Sequence, residues 1–140
     1  MAEKAYFCTH HLRSTHMAEH NDLGKWGEQK AVDFLHAQGY VIRHCDWRCG
    51  QRDIDIVALS PDGITCVFVE VKTRRSAEVV LPEDAVDVKK MRSLGVAADA
   101  YVKLHDVRHE LRFDIISVVG TSDTDVRIEH FADAFNPLLI

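Results

Sequence analysis

The chain has 140 residues, of which 46% are hydrophobic, so it is long enough for one domain with a buried core. Its formal net charge of −5 argues against indiscriminate coating of nucleic acid, because phosphate binding depends on lysine and arginine. No apolar stretch approaches the span of a bilayer and the first residues carry no apolar leader, so we expect a cytoplasmic protein with no membrane partner.

The first residues and the cysteines show no recognisable metal or disulfide pattern. Residues 1–20 have no clean period, and we expect them to form a poorly ordered extension of a single domain that spans residues 21–140. All the cysteines are expected to be reduced thiols, because they lack both zinc spacing and a secreted disulfide framework. They are Cys8, Cys45, Cys49 and Cys66.

A helix is predicted over residues 22–38, with Asn21 or Asp22 as its cap and Gly39 as its stop. Its inward-facing residues are Leu23, Gly27, Ala31, Phe34 and Leu35. Glu28 borders this apolar face, where a solvated glutamate gains nothing, so it is a candidate site residue. The alternative is a glutamate on the helix flank that extends to water.

A first strand is predicted over residues 40–45 from its alternating apolar positions, and residues 46–52 are predicted to form a polar, basic connection. Trp47 lies in this connection. We expect its ring to cover the edge of the core, and the alternative is that it stacks on a nucleic-acid base.

Two short apolar runs with acids at alternate positions, residues 53–58 and 66–72, form the centre of the sequence. The Ser-Pro-Asp-Gly segment between them is typical of a type I turn, so the runs are predicted to form an antiparallel hairpin. Side chains alternate between the two faces of a strand, so Asp53 and Asp55 point the same way from the first run. Glu70 and Lys72 likewise share a face of the second.

Two registers of this hairpin would bring the acids together. If the four turn residues form the loop, Leu59 faces Ile64 and Asp53 lies opposite Glu70. A slip by two residues places Asp55 opposite Glu70 instead.

Clustered carboxylates need a counter-charge. Like charges opposite each other destabilise a sheet, and buried carboxylates take up protons unless a cation holds them charged. Mg²⁺ or Mn²⁺ is the candidate, since Mg²⁺ accepts one or two carboxylates and takes further ligands from water and substrate phosphates. Lys72 could then stabilise charge on a phosphorane or help to deprotonate an attacking water. The alternative is a solvated, charged face of an antiparallel sheet.

A second helix is predicted to begin at Pro82, with Glu83 and Asp84 placed against its dipole. Residues 73–81 before it are expected to form a loop that could move over a substrate. The apolar stripe of the helix comprises Val88, Met91, Leu94, Ala98, Tyr101 and Val102.

Two further strands are predicted over residues 111–118 and 126–131, followed by a short helical tail over residues 132–135. Asp114, in the first of these strands, is expected to support the sheet. The order helix, three strands, helix, strand predicts an α/β protein with a central mixed β-sheet flanked by helices. The hairpin strands are antiparallel, whereas a helical crossover returns a parallel strand.

Basic residues bracket the acidic hairpin. Arg52 precedes it, Arg74 and Arg75 close it, and Lys89 and Lys90 lie off the apolar stripe of the second helix. This arrangement suits a protein that grips a nucleic-acid backbone while carboxylates hold a metal. The alternative is ordinary surface charge.

Four motifs occur in a fixed order between about residues 24 and 136. They are Gly27-Glu28-x-x-Ala31, Gly39-Tyr40, Asp53-Ile54-Asp55-Ile56 and Phe68-Val69-Glu70-Val71-Lys72-Thr73-Arg74. Their order and spacing resemble the YraN family of uncharacterised bacterial proteins. That family is placed in the restriction-endonuclease-like, or PD-(D/E)XK, nuclease superfamily.

The resemblance implies a three-layer restriction-endonuclease-like fold with an α-β-β-β-α-β core. It implies that Asp55 and Glu70 bind the metal, that Lys72 is the catalytic lysine and that Glu28 is the helix acid found in archaeal Holliday-junction resolvases. Where the family usually has Gly-Glu-Ile-Asp, this chain has Arg-Asp-Ile-Asp. Asp53 is therefore a shorter first acid, and a candidate outer ligand of the metal.

The sequence thus predicts a Mg²⁺- or Mn²⁺-dependent nuclease that acts on DNA or structured nucleic acid, with DNA favoured over RNA. Two alternatives stay open: a nucleic-acid-binding module that keeps the nuclease scaffold without cleaving, and an interaction protein without a nucleic-acid role. Branched-DNA members of the superfamily often act as dimers, which makes a homodimer a further alternative to test.

Overall fold

The computed structural model describes residues 19–76 and 87–140. Within these ranges the elements are α1 Glu19–Ala37, β1 Val41–Cys49, β2 Arg52–Leu59, β3 Thr65–Arg74, α2 Val88–His105, β4 Glu110–Val119 and β5 Arg127–Phe131. The predicted α/β class is confirmed. The predicted extension over residues 1–20 falls almost entirely outside the described residues. In the described part, neither helix combines the length and apolar character that crossing a bilayer requires.

The five strands form one mixed sheet in the order β1-β2-β3-β4-β5. The pairs β1–β2, β2–β3 and β4–β5 are antiparallel, and β3–β4 is parallel. The predicted parallel return after a helical crossover is therefore confirmed. The central strand β3 has neighbours on both sides and is buried on both faces, which explains its nearly continuous apolar run.

One helix covers each face of the sheet, so the domain has three layers. The core on the α1 face comprises Ala31, Leu35, Ile56, Ala58, Val67, Val69, Val71, Ile116 and Val118. The core on the α2 face comprises Ile54, Val57, Cys66, Phe68, Leu94, Ala97, Ala98 and Tyr101. The predicted alternation of β3 is confirmed, because its odd-numbered valines face α1 and Phe68 faces α2.

Strand β2 departs from strict alternation next to the acids. Ile54 packs with the core on the α2 face and Ile56 with the core on the α1 face, although regular alternation would put both on one side. The irregularity lies at Asp55. In β1, Trp47 pairs with Ile54 and Cys45 pairs with Ile56, so Asp46 lies opposite Asp55. The backbone of Asp46 is left-handed, with φ of +49°. The two irregular positions, Asp46 and Asp55, therefore lie opposite each other in the paired strands.

The start of α1 and the end of β1 differ from the prediction. Helix α1 begins at Glu19, so Asn21 and Asp22 lie within it and are not its caps. Gly39, with φ of +92°, stops the helix as predicted. Strand β1 continues to Cys49, so the predicted connection over residues 46–52 is wrong. The left-handed Asp46 lets the strand continue through a polar segment that resembles a loop in sequence.

Trp47 therefore belongs to β1 and not to a connection. Its ring packs edge-to-face against Tyr101, with 5.2 Å between the ring centroids. It lies at the border of the core on the α2 face. The expectation that Trp47 covers the edge of the core is confirmed.

The β2–β3 hairpin adopts the second of the two predicted registers. Leu59 pairs with Cys66, so the register with Leu59 opposite Ile64 is wrong. Ser60 is paired and not part of the loop: its N–H donates to the Thr65 carbonyl at 2.9 Å, and the Thr65 N–H donates to Ser60 Oγ at 3.0 Å. The predicted turn is present, with the Gly63 N–H donating to the Ser60 carbonyl at 2.8 Å.

Helix α2 begins at Val88, capped by Asp87, whose side chain accepts a hydrogen bond from the Lys90 N–H at 2.8 Å. It does not extend back to Pro82; Pro82, Glu83 and Asp84 lie outside the described residues. Strand β3 runs to Arg74, so the predicted loop begins later than residue 73, and its residues 77–81 are also outside the described part.

The apolar stripe of α2 is confirmed in its middle and wrong at its first residue. Leu94, Ala98 and Tyr101 are buried as predicted, together with Ala97. Val88 is 48% exposed, because it is the first residue of the helix and extends beyond the sheet.

Asp114 ties the last strands together. It is fully buried, accepts hydrogen bonds from Arg112 Nη2 at 2.8 Å and from the Asp133 N–H at 2.9 Å, and lies 2.7 Å from His130 Nε2. Burial acts to raise the pKa of Asp114, but these hydrogen bonds outweigh it and lower the pKa. The expected supporting role is confirmed.

The chain end and one cysteine require corrections. The tail over residues 132–135 is not helical; a single 3₁₀ turn, Pro137–Leu139, follows it instead. Cys45 is disulfide-bonded, so the expectation of four reduced thiols is wrong for this residue. Cys49 and Cys66 are free thiols, as expected, and burial raises the pKa of Cys66 to about 11. Cys8 lies outside the described residues.

The contact between α1 and β3 at Gly27 predicts opposite effects of two alanine substitutions. In Gly27→Ala the new Cβ would lie 1.8 Å from Thr73 Oγ1 and 2.7 Å from Thr73 Cβ, so rotating the threonine does not relieve the clash. We expect a loss of about 1–3 kcal/mol in the free energy of unfolding, measured by urea denaturation.

Gly24→Ala is the matched control in the same helix, since its Cβ would meet no heavy atom within 4 Å. It should stabilise the protein by about 0.5–1 kcal/mol, because glycine is a poor helix former. Equal stability of the two variants would contradict the close contact.

Candidate active site

Two carboxyl groups are buried against each other where β2 begins and β3 ends. Extending the observed pairing of Ile56 with Val69 by one residue places Asp55 opposite Glu70. Asp55 is 8% exposed and Glu70 is 6% exposed. Asp53, two residues earlier on β2, is only half-buried and forms the outer edge of the cluster. The structure therefore brings together the three acids that the sequence predicts.

The two buried carboxyls share hydrogen bonds and charge. Asp55 and Glu70 are hydrogen-bonded to each other, and the Val71 N–H donates to Asp55 Oδ2 at 2.8 Å. Burial raises the pKa of Asp55, against the opposing effect of the Val71 hydrogen bond. Burial, followed by the negative charge of Asp55, raises the pKa of Glu70 to about 9. Without a bound cation, Glu70 therefore holds its proton more tightly than an ordinary glutamate does.

One oxygen of this pair is left without a partner. Glu70 Oε2 is buried and accepts no hydrogen bond from any described residue. A buried acceptor without a partner costs about 1–3 kcal/mol, more if charged, so such a group in a native protein calls for an explanation. A cation bound at Oε2 would remove this cost.

Glu28 reaches the same cluster from helix α1. Its pKa is raised to about 8, first by burial and then by the negative charges of Asp55, Asp46 and Asp53. The close contact of Gly27 with β3 fixes the height of Glu28 above the sheet. Asp46 is a neighbour that the sequence did not reveal, because it was assigned to a loop and not to β1, where it lies opposite Asp55.

Lys90 enters the cluster from the opposite layer, in the first turn of α2. Its Nζ lies 3.6 Å from Asp53 Oδ1 and 3.9 Å from Glu70 Oε2. Burial acts to lower the pKa of Lys90, but the charges of Glu70 and Asp53 outweigh it and raise the pKa. The sequence predicted Lys90 as one of the basic residues that bracket the acids and bind nucleic acid, and did not predict its contact with Asp53 and Glu70. Its contact with them was missed because the helix was predicted to begin at Pro82.

Lys72 lies two residues beyond Glu70 on β3 and is partly buried. It forms no ion pair shorter than 4 Å with another described residue. Its positive charge opposes the burial and the Asp55 charge that raise the pKa of Glu70. Lys72 is therefore close enough to act on the acids electrostatically while its ammonium is not tied to one of them.

The remaining basic candidates lie around the cluster and not within it. Arg52, Arg75 and Lys89 are exposed. Arg74 is partly buried, and its Nε is buried without a hydrogen-bond partner among the described residues. No described ion pair joins Arg52, Arg74 or Lys89 to Asp53, Asp55 or Glu70. They form a basic rim: Arg52, Arg74, Arg75 and Lys89.

The donors of the cluster suit a hard divalent cation. They are carboxylate oxygens, and one of them, Glu70 Oε2, is buried with no hydrogen bond. Among the residues that the structure describes, no three His, Cys, Asp or Glu side chains are arranged to hold a metal on their own. A site of two carboxylates matches Mg²⁺, which usually keeps several waters and needs few protein ligands.

The protein is thus an α/β protein with a cluster of buried acids at one end of its central strands. A family model described as "Uncharacterised protein family UPF0102" matches residues 27–118. The chain belongs to this family, which is the YraN family that the sequence motifs resemble. The predicted family membership is therefore confirmed.

Relatives match most of the chain and nearly all of their own length. A UPF0102 protein of Bacteroides fragilis is 49% identical over 123 residues, covering 88% of this chain and 99% of the relative. UPF0102 proteins of Bacteroides thetaiotaomicron and Flavobacterium psychrophilum are 48% and 44% identical, covering 88% and 85% of this chain and 99% and 98% of the relatives. Their names assign no activity.

The buried acids predict how stability depends on pH in the absence of divalent cations. The pKa of Glu70 rises from an ordinary 4.5 to about 9 on folding. Protonated Glu70 therefore stabilises the fold fully below about pH 4.5, and this contribution is lost as the pH rises through about 9. In Glu70→Gln this loss disappears, so the variant should be more stable than the wild type at pH 9 and similar to it at pH 5.

Thermal unfolding in EDTA at both pH values measures the effect. Glu129→Gln is the control, because Glu129 is an exposed residue on β5 and undergoes the same change of charge. If the wild type and Glu70→Gln have the same dependence on pH, Glu70 is not buried as described.

Proposed function

We propose that this protein is a Mg²⁺- or Mn²⁺-dependent nuclease with a restriction-endonuclease-like fold, acting on DNA in preference to RNA. The observation that carries the proposal is the buried Asp55–Glu70 pair, with Glu70 Oε2 lacking a hydrogen-bond partner. The order of elements, α-β-β-β-α-β followed by an antiparallel edge strand, supports the fold assignment. The arrangement also matches the motifs that resemble the PD-(D/E)XK superfamily.

The acids would hold the metal ion. Asp55 and Glu70 are the direct ligands, and their pairing across β2 and β3 presents oxygens of both to one place. Asp53 and Glu28 would hold waters of the ion from further out. When bound, the ion supplies stabilisation of charge on the phosphate and a water of lowered pKa.

Lys72 would act on the phosphate or on the attacking water. It projects from β3 two residues after Glu70, and no described acid ties up its ammonium. A positive charge held in a partly buried place stabilises the negative charge that develops on the phosphorane. The lysine needs no large movement for this role, because β3 is the central and most enclosed strand of the sheet.

The basic rim would hold the nucleic-acid backbone on either side of the cleaved bond. Arg52 precedes the acids on β2, Arg74 is the last residue of β3, and Arg75 follows it directly. Contacts from lysine and arginine to phosphate give binding that weakens as salt rises. A module that only bound nucleic acid would gain nothing from acids that repel phosphate, which favours cleavage over binding alone.

Cleavage assays test the proposal. Labelled plasmid, single-stranded DNA, branched DNA and RNA are incubated with Mg²⁺, Mn²⁺ or EDTA. We expect metal-dependent cutting of DNA by the wild type, reduced by about 100-fold or more in both Glu70→Gln and Lys72→Met, because each removes a group that acts in the transition state.

Glu129→Gln and Lys103→Met are matched controls for charge, since both residues are exposed and lie outside the cluster. They should cleave like the wild type. Salt-dependent binding without cleavage would contradict the proposed nuclease activity and favour a module on the same scaffold that only binds nucleic acid. The absence of both binding and cleavage would favour a protein with no nucleic-acid role.

A further inference from the structure

Lys90 places an ammonium beside the carboxylates that the proposed nuclease uses for its metal. We propose that Lys90 is a built-in counter-cation of the metal-free site, which a divalent ion displaces from Glu70 and which then contacts a phosphate of the substrate. This inference rests on the proposed function and adds a positioning residue to it. Binding of the metal would thereby release Lys90 to bind the substrate.

The contacts of Lys90 are those of a counter-cation. Its Nζ lies within 4 Å of an oxygen of Asp53 and of an oxygen of Glu70. The Glu70 oxygen is Oε2, the buried atom that accepts no hydrogen bond. The 3.9 Å separation is too long for a hydrogen bond, so Lys90 offsets the charge of Glu70 without satisfying its oxygen.

The position of Lys90 in its helix supports this role. It is the third residue of α2, in the turn where the helix dipole disfavours a positive charge. The backbone there is held by the Asp87 cap, which accepts a hydrogen bond from the Lys90 N–H. A lysine so placed is stabilised by the acids in front of it, and not by its own helix.

A divalent ion and the ammonium compete for the same oxygen. A divalent ion bound to Glu70 Oε2 would be repelled by an ammonium that stayed 3.9 Å from the same oxygen. A metal bound to Glu70 Oε2 therefore requires Lys90 to move. The side chain can do so, because 35% of it is exposed and its four-carbon stem is flexible.

The displaced ammonium remains close to the site. Its stem is anchored in the first turn of α2, on the face of the sheet where Glu70 and Lys72 also point. A substrate phosphate bound to the metal would offer the negative charge that Lys90 loses when it leaves Glu70. Lys72 differs from Lys90, because it forms no ion pair with a described acid that would have to break before it contacts the substrate.

Metal binding without nucleic acid is the primary test. Titration with Mn²⁺, followed by electron paramagnetic resonance, is compared in the wild type, Lys90→Met, Lys90→Arg and Lys103→Met. We expect Lys90→Met to bind Mn²⁺ about tenfold more tightly than the wild type or better, because the competing charge is gone. Lys90→Arg keeps the charge and should stay near the wild type, and the exposed Lys103→Met on the same helix should stay within about twofold.

Substrate binding is the second readout. With saturating Mn²⁺, Lys90→Met should raise the KM for DNA by several-fold, and the slope of log affinity against log salt should fall by about one. Lys90→Gln is a second neutral variant that keeps a polar end, and it should behave like Lys90→Met. A purely structural role of Lys90 would not tighten metal binding.

The outcomes separate the two proposals. If the wild type binds Mn²⁺ and both neutral variants bind it no more tightly, the role of Lys90 is overturned and the metal site stands. If neither the wild type nor the variants bind Mn²⁺ at millimolar concentration, both the metal site and the role of Lys90 are overturned. Tighter binding in the neutral variants but not in Lys90→Arg supports the proposal.

Discussion

The burial of two carboxyl groups against each other is the constraint on which the site depends. The register of β2 and β3 sets Asp55 opposite Glu70, and neither side chain can turn to water. Two ionised carboxylates in such a place repel, so the pair is stable only with a proton or with a cation. The raised pKa of Glu70 and the ammonium of Lys90 are two responses to the same electrostatic cost.

The sheet carries the acids, and the two helices bring their partners from opposite layers. Helix α1 lies so close to β3 that Gly27 has no room for a side chain, and this contact sets the position of Glu28. Helix α2 packs through Tyr101 against Phe68, with 5.7 Å between the ring centroids, while its first turn holds Lys90 over the acids. Each helix is thus fixed by apolar packing and contributes one titratable group to the cluster.

The charge distribution makes the acidic net charge of the protein compatible with the nucleic-acid substrate that we propose. The net charge of −5 belongs to the whole chain, whereas the basic rim lies next to the acid cluster. A cation bound between Asp55 and Glu70 would turn this end of the sheet from repulsive to attractive for phosphate.

The sequence by itself determined the α/β class, the mixed sheet, the family and the three acids, because alternation and turn chemistry are local signals that survive in a strand. It left the hairpin register open between two alternatives, and it misplaced the ends of β1 and α2. Only the tertiary structure decided these features. Strand β1 continues through Asp46, whose backbone is left-handed. Lys90 of α2 lies near Glu70 of β3, 20 positions earlier in the chain. Such contacts depend on how the helices pack on the sheet, which no local pattern encodes.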